Sequence, residues 1–290
     1  MKTSHLISVE DLQVRLAADA SSVLICDCRY DLVDASLGFK AYQTGHIPGA
    51  IYVNLGKVLS SAPNGSNGRH PLPNPDTLAN SLAALGVNAD TLIVAYDAPG
   101  GSYAARMWWC SRWVGHNNVV VLDGTIDAWT QAGLALTTEV PAPRARGNFK
   151  RSTALTQTVD YANVRAGLDR TDRVIVDGRP NDRFQGLNET LDPKAGHIPG
   201  SLSRFSKENL DANFQFKKPE VLRAELLALM GSHPANEVVA SCGSGVSACH
   251  LLLAMEIAEL PGAALYGGSW SEWCAQSDAP IETGPARVSA

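Results

Sequence analysis

Cys242 stands in Ser241-Cys242-Gly243-Ser244-Gly245-Val246-Ser247-Ala248, a setting suited to a nucleophilic thiol. The apolar run Val238-Val239-Ala240 predicts a short buried strand before it, and Val246 to Leu260 predicts a helix after it. The thiol therefore falls at a strand's end, where a loop of small residues leads into a helix. Gly243, Gly245, Val246 and Ser247 can turn backbone N–H groups toward one point, forming a nest that favours negative charge. The helix N-terminus adds partial positive charge on the same side. Together these should favour the thiolate, the reactive form, at neutral pH.

The other five cysteines have no such loop. Cys26 and Cys28 lie in a strand-like run, Cys110 follows Trp109, Cys249 lies within the predicted helix and Cys274 follows Trp273. All five read as core or partly buried residues. Cys26-x-Cys28 has no second pair to complete a zinc site, so neither a metal nor a cofactor is expected. A Cys-x5-Arg phosphate loop would need arginine where Ala248 stands, and a disulfide oxidoreductase would want Cys-x-x-Cys.

A chain of 290 residues is long enough for about two domains, and 45% hydrophobic residues with mixed charge fit a soluble globular class. A net charge of −5 gives no general attraction to nucleic acid or anionic membrane, so an anionic substrate would need local arginines. The stretch Met1 to Ile7 lacks an apolar core with a cleavage site, and no run is long enough to span a bilayer. Six cysteines without a dense framework suit a reducing compartment, and the cytoplasm is expected.

The sequence contains itself twice. Cys26-Asp27-Cys28-Arg29 answers Val176-Asp177-Gly178-Arg179, and Gly45-His46-Ile47-Pro48-Gly49 answers Gly196-His197-Ile198-Pro199-Gly200. Leu92–Asp97 answers Glu237–Cys242, and Leu122–Trp129 answers Leu265–Trp273. Four matches in one order at nearly constant offset indicate an internal duplication. Each copy alternates strands with helices: Val23–Cys26, Leu92–Tyr96 and Val119–Leu122 in the first, Val174–Asp177, Val238–Ser241 and Ala264–Tyr266 in the second. Helices are expected at Asp76–Leu85, Tyr103–Trp113 and Pro219–Met230. This is an α/β class with two tandem domains, each a mostly parallel sheet flanked by helices. Domain boundaries are expected at 1–140 and 154–290, joined by a proline- and charge-bearing linker at 141–153. Features repeated in both halves serve the fold. His46 and His197 therefore read as structural, Asp27/Arg29 and Asp177/Arg179 as ties from strand ends to loops, and the tryptophans as packing. Cys242 answers Asp97, so the reactive half is the second.

A tandem of such units with Cys-Gly-Ser-Gly-Val-Ser-Ala only in the second, two Gly-His-Ile-Pro-Gly turns and Gly-Gly-Ser-Trp-Ser-Glu-Trp at 267–273 resembles the two-domain rhodanese superfamily. The loop is most similar to that of 3-mercaptopyruvate sulfurtransferases, with Ser247 in place of their usual threonine. The resemblance implies a non-catalytic first domain and a catalytic second one. It also implies a Cys242 persulfide that carries sulfane sulfur from a small anionic donor to a thiol, such as thioredoxin or a small thiol, or to cyanide. It further implies a carboxylate-binding role for Arg183 and for Arg106, planar guanidinium groups suited to bidentate contact. Ser244 and His70 would form a proton relay, Ser244 donating toward the donor's carbonyl oxygen. The pattern departs where the relay's acid would stand, at Gly56 near Asn54, and where a second arginine would follow Arg183; Glu189 and Lys194 occupy that segment. Thiosulfate is the rival donor, although positions 243–248 carry no charge. A catalytically silent binding module is the non-enzymatic alternative.

Overall fold

The computed structural model describes residues 4–286. Positions 1–3 and 287–290, the outer ends of the two expected domain ranges and the start of the N-terminal stretch considered above, lie outside the described residues. Among the described residues, ten strands form two five-stranded sheets. They are β1 (Leu6–Ile7), β2 (Val23–Asp27), β3 (Ile51–Tyr52), β4 (Leu92–Tyr96), β5 (Val119–Leu122), β6 (Gln157–Val159), β7 (Val174–Asp177), β8 (Leu202–Ser203), β9 (Val238–Ser241) and β10 (Ala264–Tyr266). The first sheet runs β1-β5-β4-β2-β3 and the second β6-β10-β9-β7-β8, with every pair parallel. The two orders correspond strand for strand, which is the duplication written in topology.

The central strands are continuous apolar runs because helices between them cover the sheet, as parallel pairing requires. Ile25, Val94, Val120 and Trp129 share one core; Ile175, Val239, Tyr266, Trp270 and Trp273 share the other. Trp108 and Trp109 are also fully buried. The helix Pro75–Ala84 starts where expected, with Asn74 Oδ1 accepting from the N–H groups of Asp76 and Thr77.

The chain groups into two units that do not follow a single cut in the sequence. Unit 1 holds the residues up to Ser61, Pro73–Leu155 and Ala212–Phe216; unit 2 holds Ala62–Leu72, Thr156–Asp211 and the residues from Lys217 on. The expected boundaries differ in three respects, one being that Ala212–Phe216, inside the expected second domain, belongs to unit 1. The stretch 141–153, expected as a linker, belongs to unit 1 and is tied along it: Gly147 N–H donates to Ala83 O, Phe149 N–H to Val87 O and Ser152 N–H to Val114 O. Residues 62–72, inside the expected first domain, belong to unit 2.

Both Gly-His-Ile-Pro-Gly turns are built alike. Arg29 grips Asp27 and donates from Nη2 to Gly45 O at 2.7 Å; Arg179 grips Asp177 and donates to Gly196 O at 2.8 Å. His46 stacks on Tyr42 and His197 on Phe184, each with Nδ1 bonded to a nearby carbonyl. The repeated arginines and histidines thus fasten strand ends to loops, as their recurrence implies.

In unit 1 the turn after β4 is closed by its own side chain. Asp97 is buried, and its Oδ2 accepts from the N–H groups of Tyr103 and Ala104 at the start of the helix Ser102–Trp113. Burial pushes its carboxyl up to about 7 against the pull of those two N–H bonds. A raised carboxyl binds its proton more tightly in the native state, so stability falls as pH rises from the ordinary value near 3.8 through about 7. Asp97→Asn keeps an oxygen for the cap and removes the charge. Its stability relative to the parent should improve between pH 5 and pH 8, by something on the order of a kcal/mol or more. Denaturant titrations of both proteins at the two pH values measure it; a difference that does not change with pH contradicts the assignment.

Candidate active site

Cys242 follows β9 directly, and the helix Ser247–Ile257 begins five residues later. The loop between is held through its carbonyls. Trp270 N–H donates to Cys242 O at 3.0 Å and Ser271 N–H to Gly243 O at 2.9 Å, while the Cys249 thiol contacts Gly245 O at 3.2 Å. Cys242 N–H donates to Ser269 Oγ at 3.1 Å, and that hydroxyl donates in turn to Tyr266 O. Ser269 adopts a positive φ of 54°, a strained conformation for a residue with a Cβ, and it anchors the cysteine's backbone from there.

With its carbonyls taken, the loop keeps its donors. Among the described residues, the N–H groups of Gly243, Ser244, Val246, Ser247 and Ala248 donate to no protein acceptor. The first N–H groups of any helix lack an internal partner, and here no side chain caps them. Gly245 allows the turn because its φ is +75° and a Cβ there would lie 2.3 Å from Gly267 O. In unit 1 the equivalent helix start is filled by the Asp97 carboxyl group; in unit 2 an uncharged cysteine loop occupies that place.

Three arginine side chains surround Gly243. A Cβ built on it would meet Arg69 Nη2 at 2.9 Å, Arg183 Nη1 at 3.7 Å and Arg179 Cδ at 3.8 Å. Arg179 is almost completely buried, lies over the Trp270 ring at 4.8 Å and pairs with Asp177 and Glu189. Burial opposes its charge, but Asp177, Glu189 and Cys242 nearby outweigh that and raise its pKa. Arg183 donates from Nη2 to Glu189 at 2.8 Å and to Asp192 at 3.3 Å. Burial raises the Glu189 carboxyl, and the bonds from Arg183 and from the N–H groups of Leu191 and Asp192 overcome it, leaving a net lowering. Arg69 pairs with the other oxygen of Asp192.

The sequence candidates divide as follows. Cys242, Gly243, Ser244, Gly245, Val246 and Ser247 form the loop. His70, in unit 2, is mostly buried, and its Nδ1 lies 2.9 Å from Ser244 Oγ, so the structure brings this pair into a hydrogen bond. Arg183 faces Gly243. Arg106 sits in unit 1, fully buried on the helix Ser102–Trp113, with Nη2 donating to Leu59 O at 3.1 Å. Lys194 reaches Gln276 O at 3.4 Å. Sequence reasoning does not find Arg69 or Asp192, and it counts Arg179 only as a strand-end tie. Arg69 adjoins His70, and that adjacency is the available signal. Ser269 and Ser271, which hold the loop, lie in the Gly-Gly-Ser-Trp stretch, whose tryptophan reads only as packing.

The remaining cysteines are free and buried, like Cys242 itself, so burial does not separate them. Burial pushes Cys26 up to about 12, Cys28 well above its ordinary value, and Cys110 and Cys274 upward too. Among the described residues no group of three or more His, Cys, Asp or Glu side chains is arranged to hold a metal, and no helix is long and apolar enough to cross a membrane.

The rhodanese-like domain family matches residues 8–132 and again 160–276. A Pseudomonas aeruginosa protein named "Probable 3-mercaptopyruvate sulfurtransferase" is 41% identical, the match covering 98% of this chain and 100% of the relative. A Gallus gallus thiosulfate sulfurtransferase is 32% identical, covering 80% of this chain and 79% of its own length. The structure of a 3-mercaptopyruvate sulfurtransferase from Leishmania major superimposes with a TM-score of 0.83 at 26% identity, covering 97% of this chain and 77% of that one. With a matched domain in each half and a full-length relative at this identity, the chain belongs to the rhodanese family, among relatives that are sulfurtransferases.

Proposed function

We propose that this sulfurtransferase takes sulfane sulfur from 3-mercaptopyruvate and passes it to a thiol or to cyanide through a persulfide on Cys242. The observation that carries the reading is the set of unpaired N–H groups at Gly243, Ser244, Val246, Ser247 and Ala248, next to a cysteine, where the first copy has a carboxyl group. Such donors stabilise an anion, which both the thiolate and the persulfide are.

In the first half-reaction the Cys242 thiolate attacks the donor's sulfur. The carbon–sulfur bond breaks, its electron pair passes to the carbon, and pyruvate leaves as its enolate. Ser244, hydrogen-bonded to His70, donates toward the developing oxyanion, and the enolate gains a proton at carbon to become pyruvate. In the second half-reaction an acceptor thiolate, or cyanide, attacks the outer sulfur and the Cys242 thiolate departs. Arg183 holds the donor's carboxylate. Acceptors of the thioredoxin type or small thiols fit an exchange of this kind. Six unpaired cysteines support a reducing setting such as the cytoplasm.

Incubation with 3-mercaptopyruvate should add the mass of one sulfur atom to the protein, removed again by a thiol and absent in Cys242→Ser. No gain from either mercaptopyruvate or thiosulfate would instead mark a silent binding unit. The two donors separate at Ser244, because thiosulfate has no carbonyl oxygen. Ser244→Ala should lower kcat with mercaptopyruvate by roughly 10²-fold, the scale of a lost oxyanion donor, and affect thiosulfate turnover far less. Equal losses with both donors would count against the enolate step. Arg183→Ala should raise KM for mercaptopyruvate by about tenfold or more in steady-state assays, and an unchanged KM removes the carboxylate assignment.

A further inference from the structure

Asp192 is almost completely buried, and its two oxygens are shared between two arginines from distant parts of unit 2. Oδ1 accepts from Arg69 Nη1 and Oδ2 from Arg183 Nη2. Its N–H is in turn bonded to Glu189, which also grips Arg183. A buried carboxylate of this kind holds each planar guanidinium in a fixed orientation.

That orientation leaves one face of each arginine unused. Arg69 Nη2 and Arg183 Nη1 make no hydrogen bond to protein, and both lie within 4 Å of the point where residue 243 would carry a Cβ. Glycine lets both guanidinium groups come this close to the loop. The backbone of Arg69 is fixed as well: its N–H donates to Ser271 Oγ, and the N–H of that same serine ties the loop through Gly243 O. One stretch, Gly268–Ser271, thus positions both the nucleophile's loop and Arg69. Gly68 permits the close approach, since a Cβ on it would lie 2.8 Å from Gly268 O.

We propose that Arg69 is the second guanidinium of the donor site, forming with Arg183 a clamp for the donor's carboxylate, and that Asp192 is the positioning residue that sets the pair. The inference rests on the mercaptopyruvate reading and specifies the residue that reading lacks. Each arginine presents one N–H pair to the same side of Gly243, so a carboxylate there receives one oxygen contact from each. Arg69 acts in binding, with no proton or electron transfer of its own.

Steady-state kinetics on the full chain test it, with pyruvate as a competitive probe that carries the carboxylate without the sulfur. Arg69→Ala should raise KM for mercaptopyruvate and the inhibition constant of pyruvate together, by about ten- to hundredfold, with a smaller change in kcat. Arg69→Lys should recover part of the loss. Arg69→Ala also strips Asp192 of a counter-charge, so the double variant Arg69→Ala/Asp192→Asn separates the two roles. If Arg69 only neutralises Asp192, the double variant matches Asp192→Asn alone, and the inference is overturned. If Arg69 contacts the donor, the double variant keeps a rise in KM beyond that of Asp192→Asn. An active parent whose KM and pyruvate inhibition are untouched by Arg69→Ala overturns the clamp alone. A parent that takes no sulfur from mercaptopyruvate overturns the functional reading, and the clamp with it.

Discussion

A parallel strand that turns directly into a helix leaves several N–H groups without partners at one spot, and this constraint organises the molecule. The two halves answer it differently. After β4 the fold supplies its own acceptor: Asp97 turns back onto the N–H groups of Tyr103 and Ala104. After β9 no side chain among the described residues does so. Asp97 shows, within the same chain, that a carboxyl group fits such a turn. An internal carboxyl group fills the turn in one copy, and in the other a cysteine begins a turn without such a group.

A loop of free donors would collapse onto any available acceptor unless its own carbonyls were tied elsewhere. Ser269, Trp270 and Ser271 provide that restraint by bonding Cys242 and Gly243 from the far side. The strained φ of Ser269 is the local cost, of order 1 kcal/mol, of aiming a hydroxyl at the cysteine's N–H. In unit 1 the matching position is Thr125, also at positive φ. The backbone kink is therefore a property of the duplicated scaffold, and the second copy turns it to use.

The long central strands are legible because burial on both faces writes them as unbroken apolar runs, as in Leu92–Tyr96 and Val238–Ser241. The strands that sequence reasoning does not find, β1, β3, β6 and β8, lie at sheet edges and span two or three residues each, too short for any periodicity to register. In the site, contiguous features are legible: the Cys242 loop follows from one stretch of small residues. Features assembled across the chain are not. Arg69 and Asp192 are 123 positions apart, and nothing local in either marks a pair. Recurrence also misleads at one position. Arg179 matches Arg29 and so reads as structural, although its side chain lines Gly243 as well.

The charges around that glycine balance in an instructive way. Arg69, Arg179 and Arg183 meet Glu189, Asp192 and Asp177, so the cluster is close to neutral before any donor arrives. Buried arginines without carboxylates would carry an uncompensated charge and drift from any fixed geometry. Carboxylates that saturated every N–H would leave nothing for a ligand. In Arg69 and Arg183 the arrangement avoids both extremes, directing acids at one side of each guanidinium and leaving another nitrogen toward Gly243. Attraction for an anion then comes from oriented donors in a partly dry site, where direction counts for more than net charge. This is how a chain of overall negative charge can gather the proposed anionic donor at one point.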